Sequence, residues 1–95
     1  MTHVDFKQTL SLDSPPAGLG ALLEALWHDA RGNWDLAHRI VQDLPTSEAA
    51  WIHAYLHRRE GDLANAAYWY RRASQPVCSR SLEEEWQTIV AALLA

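Results

Sequence analysis

The side chains best placed for chemistry in this chain are two imidazoles, His53 and His57, four residues apart in a segment whose pattern is helical. That spacing sets both rings on one helix face, a geometry that zinc and related ions exploit. A third ligand has to come from another segment, and His28, His38 and Asp29 are available. A metal or small-molecule site on His28, His53 and His57, with enzymatic activity open to it, is the second of two functional readings. Ala54 follows His53 where a zinc protease would carry Glu, so that pattern fails. Hydrogen-bonded packing at a helix boundary is the commoner role of such histidines, and no metal, cofactor or catalytic residue is assigned from the sequence. Cys78 has Arg80 nearby but no histidine close in sequence, and it reads as an ordinary loop thiol. Glu83, Glu84 and Glu85 read as solvent-facing charges that favour a positive helix start. Arginines 58, 59, 71, 72 and 80 form a positive stretch, but the four scattered glycines make no phosphate-binding loop. The expectation is a protein that is not an enzyme.

These residues must be positioned by a single domain, since 95 residues, 48% of them apolar and 21% charged, suffice for one core. A net charge of −4 argues against nucleic acid and anionic membrane surfaces as partners. One cysteine allows neither an intrachain disulfide nor a thiolate metal cluster, which suits a reducing compartment, and a cytoplasmic location is expected. Nowhere do 18 apolar residues run together, and the first dozen contain no continuous apolar stretch, so neither membrane spanning nor export is expected.

The elements follow from spacing. Asp13-Ser14-Pro15-Pro16 disfavours helix before it, so residues 1–17 are predicted to form an irregular arm and 18–95 one helical repeat domain. Leu19, Leu22, Leu23, Leu26, Trp27 and Ala30 lie on one helical stripe that Gly32 can close, with Asn33 capping the next helix. Trp34, Ala37, Ile40, Val41 and Leu44 mark the second helix, which Pro45 ends. The third, Ser47 to Glu60 with Thr46 or Ser47 as cap, is apolar over a wide arc and should be central. Gly61-Asp62 repeats the stop-and-cap device, Leu63, Ala66, Ala67, Tyr70 and Ala73 form the fourth stripe, and Ser81 opens a fifth through Leu82, Trp86, Ile89, Val90 and Leu93. No segment alternates as a strand would, so the fold class is all-α.

Shifted by 29 residues, the chain lays Gly32-Asn33-Trp34 on Gly61-Asp62-Leu63, Ala37 on Ala66, Ala25 on Ala54 and His28 on His57. Two stacked antiparallel helical hairpins plus a C-terminal capping helix are predicted, because each hairpin leaves an apolar face that it cannot cover alone. The Gly-x-apolar-x-x-Ala pattern, in Gly32-Trp34-Ala37 and Gly61-Leu63-Ala66, resembles the tetratricopeptide repeat. The stretch from Ala66 to Ala73, with Tyr68, Trp69, Tyr70, Arg71 and Arg72, is similar to the Sel1-like repeat. What the resemblance implies is a protein-interaction module whose first helices line a concave surface. Carried onto this chain, it places Trp51, Tyr55, Arg58 and Arg59 on that surface, a strip suited to an acidic or aromatic segment of a partner protein or peptide. Trp27, Trp34 and Trp86 sit on apolar stripes and are expected in the core. The apolar last helix could also support a homodimer.

Overall fold

The helix boundaries are set by local hydrogen-bonding devices, and the computed structural model, which describes residues 1–95, shows the same device twice. Helix α2 (Ala21–Ala30) ends where the Gly32 N–H donates to the Asp29 carbonyl at 2.9 Å and the Asn33 N–H to the His28 carbonyl at 2.8 Å. Helix α4 (Ser47–Glu60) ends identically, with Gly61 donating to Arg58 at 3.1 Å and Asp62 to His57 at 2.9 Å. Both glycines are left-handed, at φ +86° and +90°, as this closing motif requires. The Asn33 and Asp62 side chains then accept from the Leu36 and Asn65 amides, opening α3 (Trp34–Val41) and α5 (Leu63–Arg72). The same closure recurs after α5, but with Ser74 as the left-handed residue at φ +57°. Thr46 caps α4 and Ser81 caps α6 (Leu82–Leu94).

The chain is all-α, with no strand. α2 packs on α3 and α4 on α5, while α4 also meets α2 and α3, which gives it the central place expected from its wide apolar arc. The core joins Leu26, Trp27, Ala37 and Val41 of the first hairpin to Ile52, Tyr55 and Leu56 of α4. Ala54, Ala66 and Tyr70 pack together where α4 and α5 approach. Trp27 and Trp86 are buried, and Trp34 packs partly buried against the core.

One expectation needs correction. Residues 1–17 are not an irregular arm throughout: His3–Gln8 form a short helix, α1, continued by a 3-10 turn over Thr9–Ser11. Thr2 and Asp5 make a reciprocal capping box, and Phe6 is completely buried against Trp86, their ring centroids 5.7 Å apart. Helix α6 meets α5 through the hydrogen bond from the Tyr70 hydroxyl to Glu85. It packs on α1, α2 and α4, the Trp86 indole donating to the Leu26 carbonyl at 3.1 Å. Its apolar stripe, with Ile89 and Val90 buried and Leu93 partly so, is therefore used within the chain, and Ala91 and Ala92 face outward. No helix is long and apolar enough to cross a membrane.

Candidate functional site

Three imidazoles converge where α3 meets α4. Ala37, completely buried, is the close-contact residue of α3, so the next residue, His38, comes out along the same seam. From α4, His53 and His57 present their rings one turn apart, with centroids 4.7 Å from each other. His38 Nε2 lies 3.0 Å from His53 Nε2, and one ligand nitrogen from each of the three rings falls within 4.8 Å of the others. His53 and His57 are buried and His38 half-buried.

Aromatic rings hold the cluster from both ends. Trp34 stacks on His38 at 4.9 Å and 9°, anchored by its indole N–H donating to the Leu56 carbonyl at 2.8 Å. Trp69 of α5 stacks on His53 at 3.8 Å and 17°, with the Arg72 guanidinium 5.0 Å from the Trp69 ring. His57 Nδ1 is 2.6 Å from a Glu60 carboxylate oxygen, which fixes the ring and turns Nε2 away from it. The Asn65 amide approaches that Nε2 at 3.4 Å. His53 Nδ1 is buried without any hydrogen-bond partner.

The electrostatics favour uncharged rings. Burial first, then the neighbouring His38 and His57, lowers His53 to about 4. Burial and His57 also lower His38. Metal ligation requires neutral imidazole, so at neutral pH these two rings are already in the ligating form. The donor set of three nitrogens suits zinc, copper, nickel or iron and excludes the calcium and magnesium pattern of oxygens.

His28, assigned to the metal reading from sequence, is not part of this cluster. It sits half-buried against the edge of Trp27, 5.1 Å between ring centroids, and His38 takes the third position. The spacing of His53 and His57 signalled two ligands, but the third depends on which helix packs beside α4.

The strip Trp51, Tyr55, Arg58 and Arg59 is divided by α6 rather than open. Tyr55 is 1% exposed and faces inward, donating its hydroxyl to Asp29 Oδ2 at 3.0 Å. Arg58 donates to Glu85 Oε1 at 2.9 Å and to the Arg80 carbonyl, while the Tyr70 hydroxyl donates to Glu85 Oε2 at 2.5 Å. Trp51 is half-buried on a cleft of about 260 Å³ shared with Cys78, Arg80, Glu85 and Thr88. Arg59 alone stays largely exposed, its Nε 3.4 Å from Asp29 Oδ1. Glu85, which reads as a surface charge, is in fact buried at 3% exposure, and Asp29, a candidate third ligand from sequence, is buried at 1%. Burial raises the Asp29 carboxyl, with Arg59 and the Tyr55 hydroxyl opposing it.

Comparison with known proteins yields no match to a family model, a curated protein or a solved structure.

Proposed function

We propose that the protein binds a zinc-class transition-metal ion through His38, His53 and His57. The observation that carries this reading is the convergence of three imidazole nitrogens, one each from His38, His53 and His57, all within 4.8 Å of one another. Tetrahedral coordination at ordinary zinc–nitrogen lengths puts ligand nitrogens about 3.3 Å apart. The His38–His53 separation of 3.0 Å is close to that, and the His57 ligand nitrogen lies within 4.8 Å of both. Glu60 supplies the carboxylate that commonly orients a ligating histidine. Three protein ligands leave a fourth position for water or an exogenous donor. Because His38 belongs to the first hairpin and His53 and His57 to the second, ligation also ties the two hairpins together.

The test is thermal unfolding of tag-free, chelator-treated protein with and without zinc. At zinc about a hundredfold above Kd the folded state gains about 2.7 kcal/mol, a rise of roughly 10–20 °C for a domain of this size. His38→Asn, His53→Asn and His57→Asn should each lose that rise, and His28→Asn should keep it. A zinc response that survives His38→Asn and disappears in His28→Asn would refute the assignment.

Protein binding is a second reading, supported by the outer side of α5 and the loop after it. α5 packs mainly on α4 and meets α6 through the Tyr70–Glu85 hydrogen bond, and Leu63, Tyr68 and Val77 are 67%, 43% and 64% exposed. Such apolar exposure at the end of a hairpin stack is where a partner protein would sit. Capture of a partner that is lost on Leu63→Ser with Tyr68→Ser, but kept on Arg58→Gln, distinguishes this surface from the Trp51, Tyr55, Arg58, Arg59 strip.

A further inference from the structure

On the side of the molecule that holds Asp29, a second polar site lies between α1, α2, α4 and α6, and it shares no residue with the imidazole cluster. Lys7, Asp29, Tyr55, Arg59, Glu83 and Trp86 surround a cleft of about 180 Å³ whose wall also includes Leu10 and Ala30. Its buried end is Asp29 Oδ1, an oxygen that accepts no hydrogen bond. Tyr55 donates to the other oxygen, and the nearest cation to Oδ1, Arg59 Nε, stands off at 3.4 Å. A buried carboxylate oxygen in this position is incomplete without a donor. Arg59 is likewise underused: its only hydrogen bond is a long one, 3.3 Å from Nη1 to the Tyr55 hydroxyl, and its side chain is 42% exposed. At the mouth, Lys7 and Glu83 pair at 2.8 Å with both side chains more than half exposed.

Charge selects among ligands. A bare cation would meet Lys7 and Arg59, and a polyanion would meet Asp29 and Glu83. A compact zwitterion satisfies both signs at once, and the apolar wall of Leu10, Ala30 and Trp86 accommodates a short aliphatic side chain. We propose that this cleft binds a free α-amino acid, its ammonium group donating to Asp29 Oδ1 and its carboxylate held by Arg59 with Lys7. The volume limits the ligand to about the size of leucine or smaller.

The experiment is an NMR titration of the full chain with glycine and with L-leucine, following the indole N–H of Trp86, a residue that lines the cleft. Acetate and methylammonium, each carrying half of the recognised chemistry, serve as controls. Saturable shifts with L-leucine are expected, and half-ligands should bind about tenfold more weakly or worse, the consequence of losing one charge-assisted hydrogen bond. Asp29→Asn and Arg59→Gln should each weaken binding by about the same factor. Should Asp29→Asn fail to fold, Arg59→Gln decides, since that side chain is largely solvent-exposed. Absence of saturation with both amino acids up to their solubility limits, or unchanged binding in folded Asp29→Asn or in Arg59→Gln, would overturn the proposal. Zinc binding is untouched by any of these outcomes.

Discussion

Replacing Glu85 with alanine should destabilise the protein far more than a change at an acidic helix start ordinarily does. Glu85 is 3% exposed and accepts from both Arg58 and Tyr70, so its removal strands a phenol that is 1% exposed and a guanidinium whose side chain is 17% exposed. Removing one partner from a buried ion pair costs about 3–5 kcal/mol. Arg58 retains some access to water, which lowers the expected loss to about 2–4 kcal/mol, or a fall of roughly 8–30 °C in Tm. Urea unfolding followed by tryptophan fluorescence measures it directly, with Glu83→Ala as control. Glu83 forms an exposed pair with Lys7, so its loss should amount to about 0–1 kcal/mol. Equal, small effects at the two positions would refute the inference that α6 is anchored in the groove by a buried carboxylate.

Ala66, 2% exposed between Ala54 and Tyr70, should lose about 1–3 kcal/mol on replacement by leucine, which circular dichroism melts can follow; full stability would contradict the close α4–α5 approach. Ser74 occupies a left-handed position at φ +57°, so Ser74→Gly should stabilise by about 0.5–1 kcal/mol in the same assay, and a loss would contradict the closure after α5. Since His53 titrates at about 4 in the folded chain and near 6.5 when unfolded, the unfolded state binds more protons between those values. Stability of the metal-free protein is therefore complete above pH about 6.5 and falls as pH drops toward about 4, a slope that should flatten in His53→Asn if that variant folds, and a flat wild-type profile would contradict a buried neutral ring.

Helix α4 was legible as about Ser47 to Glu60, because both ends carry their own signals: Thr46 or Ser47 as cap and Gly61 as left-handed stop. The doubled closure at Gly32 and Gly61 was legible for the same reason, since it is made by neighbours in sequence. Helix α1 was not, because six residues with one buried anchor, Phe6, leave no periodicity to detect. A stripe shows which face of a helix is buried but not what covers it. Hence Leu82, Trp86, Ile89 and Val90 identified α6 without revealing that it would pack on α1, α2 and α4 and take up Arg58 and Tyr70 through Glu85. The site followed the same rule. The i, i+4 relation of His53 and His57 is a property of one helix, whereas choosing His38 over His28 required the rotation of α3 against α4. Asp29 and Glu85 escaped notice as buried groups because a carboxylate near a helix end normally faces water, and the tyrosines that receive them come from other helices.

Metal binding as proposed requires three imidazoles from two hairpins to form one site. Isothermal titration of zinc into tag-free protein, stripped of metal beforehand, examines it most directly. One ion bound per chain, with the heat abolished by His53→Asn and preserved in His28→Asn, is the result expected. Wild-type protein that takes up no zinc, or that binds it equally well without His53, would contradict it.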